Sequence, residues 1–187
     1  MSNDTRARMV HTTAKLLQRQ GYHGTGLNQI VAVADAPKGS IYFHFPGGKE
    51  QLTVEAIAHS ASYLEGAMDK LQSTTAVDAL DSYLAAVARR LERTEFCEGC
   101  PIATVALDVG ATSTEIAEAC ASAFDRLIER IGGWFEAEGV EPSAAHDRAF
   151  LVLTALEGAL MLAKVKRSVE PLTRLRAALP ELIGVPG

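Results

Sequence analysis

The spacing of apolar residues constrains this chain most, because they recur at helical intervals between turn signals. Val10, Ala14 and Leu17 lie at positions i, i+4 and i+7, and longer stripes with the same period cover residues 57–71 and 116–135. No run of alternating apolar and polar residues is long enough to indicate a β-strand. The pattern therefore predicts an all-α chain, and the arrangement of residues 27–43 predicts an N-terminal three-helix helix-turn-helix domain ahead of a C-terminal helical domain.

Glycine and proline residues divide the chain into the predicted helices. These cover about residues 5–20, 27–34, 38–43, 49–71, 77–91, 102–109, 116–135, 144–167 and 171–183. The most apolar segment, 149–163, has only fifteen residues and contains Glu157. A membrane-spanning helix needs roughly 18–20 residues. We therefore expect a buried helix in this segment and no membrane partner.

The cysteines and the N-terminus indicate a cytoplasmic protein with reduced thiols. No apolar segment follows the charged N-terminal residues, so we expect no signal peptide. Cys97, Cys100 and Cys120 are too few for a disulfide framework, and the histidines supply no second ligand pair for zinc. We predict no metal and no cofactor. A structural role for the cysteines is favoured, while thiol sensing by Cys97 and Cys100 stays open.

The charge of the chain is divided unevenly along its length. A net charge of −5 taken alone argues against nucleic-acid binding. Residues 1–49, however, carry six basic and two acidic residues, a net of +4, and residues 50–187 carry twelve and twenty-one, a net of −9. A basic N-terminal segment followed by an acidic remainder indicates contact of the basic segment with nucleic acid or a membrane surface.

Residues 27–43 have the arrangement of a helix-turn-helix, with a tight turn at 35–37. The second helix of this motif enters the DNA major groove. We place Pro37 in the first turn of that helix and expect Ile41, Phe43 and Phe45 to anchor it. Thr25 is expected to cap the preceding helix and to touch a phosphate. Lys49 opens the next helix, where a phosphate can bind.

A gapless stretch over about residues 5–55 carries a family resemblance, and the block 38–52 is its most specific part. The matching positions are Gly21, Tyr22, Thr25, Ile30, Val31, Ala34, Lys38–Phe45 and Lys49–Leu52. The stretch resembles the N-terminal domain of TetR-family transcriptional repressors. Departures from the common pattern are Gly26, Ala36-Pro37 and Gly47-Gly48. The segments 45–50 and 99–103 are also similar to the branch of the lincomycin-resistance regulator.

The resemblance implies an all-helical homodimer that binds double-stranded operator DNA and, through a variable C-terminal domain, a small-molecule inducer. It implies DNA contacts by Thr25, Lys38, Gly39, Ser40, Tyr42, His44 and Lys49. We expect a DNA-binding domain at 1–48 and a ligand-binding and dimerisation domain at 49–187.

Several residues between 50 and 187 suggest a ligand pocket and a dimer interface, although core packing explains many of them equally well. The candidate pocket residues are Cys100, Phe124, Trp134, Glu157 and Met161. Two roles for Glu157 stay open: it could bind a cationic or polar ligand, or it could pair with an arginine such as Arg126 or Arg148. The small residues Ala155, Gly158, Ala159 and Ala163 form one face of their helix and would allow close approach of a second copy.

These observations predict a ligand-responsive repressor that binds a palindromic operator as a dimer and is released by an inducer. One alternative is a thiol-responsive regulator that uses Cys100 and Cys97. Another is a ligand-binding helical dimer without DNA binding. An enzyme is not expected, because the sequence shows no nucleophile–base pair, phosphate-binding loop or metal set.

Overall fold

A computed structural model describes residues 2–37, 39–71, 73–109 and 111–184. Over these residues the chain forms nine α-helices and no strand, which confirms the predicted all-α class. The helices are α1 (Ser2–Gln20), α2 (Leu27–Val33), α3 (Ser40–His44), α4 (Gly48–Met68), α5 (Ala76–Arg93), α6 (Pro101–Val109), α7 (Thr114–Ala137), α8 (Pro142–Lys166) and α9 (Glu170–Leu182). No helix among the described residues is long and apolar enough to cross a membrane.

Local chemistry explains several helix ends. The Thr75 side chain accepts a hydrogen bond from the Asp78 N–H at the start of α5. The Glu141 carboxylate accepts from the N–H groups of Ser143 and Ala144, and Pro142 follows as the first residue of α8. The Ser143 hydroxyl also donates to Glu141, and these hydrogen bonds lower the pKa of the Glu141 carboxyl. Acceptors of this kind satisfy the backbone donors that have no partner within a helix.

The second helix of the helix-turn-helix, α3, begins later than the sequence pattern predicts. We expected it to start near Lys38 with Pro37 in its first turn, but α3 starts at Ser40 and Gly39 is its N-cap. The Pro37 carbonyl lies before the helix and accepts from the N–H groups of Gly39 and Ser40, both at 3.0 Å. These bonds form a turn that delays the helix. Lys38 itself lies outside the described residues.

The first compact unit comprises Met1–Tyr63 and Cys100–Phe124. Within it α1 packs against α2 and α6. Its helix-turn-helix rests on a buried cluster drawn from α1, α2, α3 and α4. The largest members of this cluster are Met9, Ile30, Ile41, Phe45 and Leu52. Burying these side chains removes apolar surface from water, and this stabilises the packing of α3 on the cluster.

The second compact unit comprises Leu64–Gly99 and Asp125–Gly187, and within it α9 packs against α5 and α8. The Arg176 guanidinium donates two hydrogen bonds of 2.7 Å to the Asp81 carboxylate, tying α9 to α5. This ion pair lowers the pKa of Asp81. The units describe packing and not function, so the expected functional division between residues 48 and 49 stays a prediction.

Candidate nucleic-acid interface

The side chains of α3 and of its C-cap residue, Phe45, separate into a buried pair and an exposed pair. Ile41 and Phe45 are buried, whereas Tyr42 is 66% exposed and Phe43 is 76% exposed. The expectation that Phe43 anchors the helix is therefore wrong. Residues 41 and 45 are four apart and share one helix face, while residue 43 lies about 200° from residue 41 at 100° per residue. Once Ile41 and Phe45 fill the inner face, Phe43 must point outward.

The turn between α2 and α3 is held by an arginine from α1. Asp35 has a positive φ of 49°, a conformation that favours glycine. The Arg8 side chain donates to the carbonyls of Ala34 at 3.1 Å and Asp35 at 3.2 Å. Sequence reasoning missed Arg8, because its partners lie 26 and 27 residues away and no local signal connects them.

The start of α3 presents a hydroxyl beside an unobstructed glycine. The Ser40 hydroxyl donates to the Pro37 carbonyl at 2.7 Å, which fixes its orientation at the start of the helix. No atom lies within 4 Å of the position that a Cβ of Gly39 would occupy, and its φ of −150° suits any residue. The fold of the chain does not demand a glycine there, so close approach by another molecule remains a reason for it.

Thr25 is fully buried, and its hydroxyl donates to the Gly21 carbonyl at 2.7 Å. The expectation that Thr25 caps α2 is wrong, since the N-cap is Gly26 and no side chain caps the helix there. The Gln20 amide crosses the same loop to the Gly24 carbonyl at 2.6 Å and to Gln29 at 2.7 Å. A phosphate contact by Thr25 stays a prediction, and the buried hydroxyl has an intramolecular partner.

The Lys49 ammonium reaches back to the loop after α1. Its Nζ donates to the Tyr22 carbonyl at 2.6 Å and lies 4.0 Å from the centroid of the Tyr22 ring. Burial lowers the pKa of Lys49 from its usual value. Lys49 thus helps to hold the loop, and the two remaining ammonium donors stay candidates for the predicted phosphate contact.

Asp108 of α6 contacts the same loop from the other side. Its Oδ2 accepts from the His23 backbone N–H at 3.0 Å, and its Oδ1 lies 3.9 Å from His23 Nε2. Gly21 has a φ of 70°, and a Cβ placed there would stand 2.9 Å from Asp108 Oδ2. The positive φ therefore favours glycine at residue 21, and a Cβ there would also displace the Asp108 carboxylate. Sequence reasoning also did not identify Asp108, because its partners are distant in sequence.

The predicted DNA-contact residues thus fall into two groups. Gly39, Ser40, Tyr42 and His44 lie at or in α3, with His44 half-buried between the rings of Phe43 and Phe45. Thr25 and Lys49 instead bind the loop after α1. Lys38 lies outside the described residues. No finding tests the DNA contacts themselves, which remain predictions.

The predicted pocket residues are divided between the two compact units. Cys100, which is buried, and Phe124, which is half-buried, belong to the first unit. Trp134, Glu157 and Met161 belong to the second, where Met161 is 57% exposed on α8. The ligand pocket stays a prediction, as does a pairing of Glu157 with Arg126 or Arg148. Arg126 donates to Glu65, and the Arg148 guanidinium lies 5.9 Å from the Phe135 ring centroid.

Small residues of α8 line a groove between α8 and α9. Ala155, Gly158 and Ala159 contribute to this groove of about 420 Å³ together with Leu162 and residues of α9. Ala163 is fully buried within the second unit and does not line the groove. Along the same helix several large apolar side chains are exposed. They are Phe150, Leu151, Met161, Leu162 and Val165.

The three cysteines lie in different surroundings. Burial raises the pKa of the Cys120 thiol to about 11, which disfavours the reactive thiolate. Cys100 is buried at the start of α6, where its Sγ accepts from the Ala103 N–H at 3.4 Å. Cys97 is exposed. In the part of the chain that the structure describes, no three metal-ligating side chains come together.

Comparison with known proteins places these observations in one family. Residues 10–56 match the family of bacterial regulatory proteins called tetR, and residues 76–178 match the LmrA/YxaF-like C-terminal domain of transcriptional regulators. The transcriptional regulator LmrA of Bacillus subtilis is 31% identical over 182 residues, which cover 96% of this chain and 97% of LmrA. The uncharacterized regulator YxaF of the same organism is 30% identical over 182 residues, covering 96% of this chain and 95% of YxaF.

Solved structures agree with this assignment. The crystal structure of reduced Escherichia coli NemR superposes with a TM-score of 0.81 at 26% identity, covering 98% of this chain and 100% of that one. The chain belongs to the TetR family of transcriptional regulators, and its C-terminal domain is of the LmrA/YxaF-like type.

Proposed function

We propose that this chain is a ligand-responsive transcriptional repressor that binds a palindromic operator as a homodimer in the cytoplasm. The observation that carries the proposal is the division of α3 and its C-cap, in which Ile41 and Phe45 are buried while Tyr42 and Phe43 face outward. A helix that is held by its apolar face and exposes the Tyr42 hydroxyl is suited to enter the major groove. The net charge of +4 over residues 1–49 adds attraction to phosphates.

The exposed apolar side of α8 supports dimerisation. Phe150, Leu151, Met161 and Val165 are large and exposed, although α8 also buries apolar residues along its other side. Exposed apolar surface of this extent marks an interaction site, and the groove beside Ala155 and Gly158 can receive side chains of a second copy. A twofold dimer would present two recognition helices to half-sites about 34 Å apart.

The contact between α6 and the loop after α1 offers a route for ligand response. Asp108 accepts the His23 N–H, and α6 packs against α1 within the first unit. A ligand that binds better to a state with displaced α6 would alter the support of the helix-turn-helix. The shift in operator affinity is bounded by the ratio of ligand affinities for the two states.

A gel-shift titration tests operator binding with the DNA upstream of the chain's own gene. Wild-type protein should bind, and Tyr42→Ala and Lys38→Ala should each weaken binding. Tyr63→Ala is the matched control, because Tyr63 is also an exposed tyrosine of the first unit but lies on α4. Equal failure of wild type and variants to bind would contradict the proposal and favour a ligand-binding dimer without DNA binding.

Ligand release requires a second experiment. Compounds that raise the thermal midpoint of the full chain should lower its operator affinity, and Asp108→Asn should reduce this coupling. Ligands that stabilise the protein without changing operator affinity would remove the responsive part of the proposal.

A thiol-responsive variant draws on the position of Cys100, whose Sγ accepts a backbone N–H at the start of α6. A helix N-terminus favours a thiolate. If oxidants release the operator through this thiol, Cys100→Ser abolishes their effect and Cys120→Ser does not. Unchanged release by oxidants in Cys100→Ser would exclude Cys100 as the sensor.

A further inference from the structure

Phe43 is the most exposed large side chain on the recognition helix. The residue is 76% exposed, and its ring contacts the His44 ring at a centroid distance of 4.9 Å and an interplanar angle of 80°. His44 supports the phenyl ring from one side and restricts its orientation. Most of the ring nevertheless remains in water, which is unfavourable for an apolar group.

The fold of the chain does not account for this phenylalanine. Ile41 and Phe45 already occupy the inner face of α3, and both are buried in the cluster beneath the helix-turn-helix. Any polar residue would serve at an outward position of so short a helix. The apolar ring is therefore explained by what α3 touches rather than by what holds it.

The chemistry of the major groove identifies a partner for such a ring. Phenylalanine has neither a hydrogen-bond donor nor an acceptor, so it cannot read the polar edges of the bases. The apolar group displayed in the major groove is the C5-methyl of thymine. Ser40 and Tyr42, which precede Phe43 on α3, carry the hydroxyl groups that can bond to phosphates or base edges.

We propose that Phe43 is a specificity-determining residue that packs against the C5-methyl group of a thymine in each operator half-site. This inference rests on the proposed function and adds a base preference to it. Each half-site must then contain a thymine at one fixed position.

The test uses full-length protein and a palindromic duplex enriched by the wild-type chain from a randomised pool. Thymines are replaced one position at a time, in both half-sites, by deoxyuridine, which lacks the methyl group and keeps the base pairing. Binding is measured by fluorescence anisotropy at one fixed salt concentration. At one position, wild-type affinity should fall by roughly fourfold per half-site, the value of one buried methylene-sized group.

The same duplexes are then measured with the Phe43→Ala variant. It should bind the thymine duplex more weakly than wild type and should become indifferent to deoxyuridine at that position. Because Phe43 is exposed, its removal should leave the thermal midpoint unchanged. Leu107→Ala is the matched control, since Leu107 is an exposed apolar residue of the first unit on α6, and it should respond as wild type does.

Two results would overturn the inference while operator binding stands. One is an enriched half-site without an invariant thymine. The other is an equal response of wild type and Phe43→Ala to every deoxyuridine replacement. If no duplex is enriched and no DNA is bound at any salt concentration tested, the proposed function fails and this inference fails with it.

Discussion

Helices α3 and α8 both expose apolar side chains, but the two helices differ in length and in the groups around those side chains. On α3, Phe43 and Tyr42 are exposed between Ser40 and His44, in the part of the sequence with excess positive charge. On α8, which has 25 residues, exposed apolar residues extend from Phe150 to Val165 over several turns. A short aromatic patch among polar groups suits a charged, hydrogen-bonding partner, and a long apolar stripe suits another protein surface.

The largest effect is expected from a charge in the apolar stripe of α8. Val165 is 79% exposed, and Val165→Glu should convert the proposed dimer to monomers, because its interface would have to bury an unpaired carboxylate. Operator affinity should then fall by about 100-fold or more, since two linked half-site contacts become one. Sedimentation velocity and anisotropy measure the two quantities.

Leu107→Glu provides the control for this change, because it places the same charge at an exposed leucine on α6. A dimeric Val165→Glu protein with full operator affinity would contradict the assignment of α8.

The next effect separates the two faces of α3. Ile41→Ala should lower the free energy of unfolding by about 2–4 kcal/mol, because it opens a cavity in the buried cluster. Tyr42→Ala should leave stability within about 0.5 kcal/mol and should weaken operator binding. Urea denaturation and anisotropy, applied to both variants, measure the contrast. A strongly destabilised Tyr42→Ala protein would show that α3 is held differently.

A smaller effect is expected at the turn that positions α3. Asp35 has a φ of 49°, and Asp35→Gly should raise the free energy of unfolding by about 1 kcal/mol by removing left-handed strain. Arg8 bonds to the backbone carbonyl of residue 35, so the turn geometry and operator affinity should persist.

Asp147→Gly is the opposite case, because Asp147 lies within α8 and glycine is less favourable than aspartate in a helix interior, so the free energy of unfolding should fall by about 0.3 kcal/mol. Thermal or urea unfolding of both variants measures the free energy of unfolding, which should rise in Asp35→Gly and fall in Asp147→Gly. Destabilisation by Asp35→Gly would indicate that the Asp35 side chain contributes more than its backbone strain costs.

The smallest effect concerns the contact between α1 and α4. His11 Nδ1 lies 3.3 Å from His59 Nε2, and burial, Lys15 and His59 lower the pKa of His11 from its usual value. The unfolded chain then binds more protons than the folded chain, so stability is complete above about pH 6.5 and decreases as the pH falls through that value.

His11→Asn should reduce this slope in urea titrations between pH 7.5 and 5.5. His146→Asn, an exposed histidine on α8, is the control. An unchanged slope in His11→Asn would contradict the linkage.

The sequence alone determined the helical class, the helix ends to within a few residues, and the helix-turn-helix. These features follow from local rules, since apolar period, glycine and proline act within a few residues of themselves. The block from Lys38 to Leu52 indicated the family because its matching residues are close together in the sequence. Two local predictions were wrong. Pro37 precedes α3 instead of lying in its first turn, and Thr25 does not cap α2, because Gly39 and Gly26 are the N-caps of these helices.

Only the tertiary structure decided which way Phe43 faces and what holds the recognition helix. Phe43 and Phe45 have the same chemistry, and burial of Ile41 with Phe45 on one face assigns Phe43 to the other. Arg8 binds a turn 26 residues away, and Asp108 binds a loop 85 residues away. Such contacts depend on how helices pack, and the spacing of residues along a chain does not specify which distant backbone groups meet.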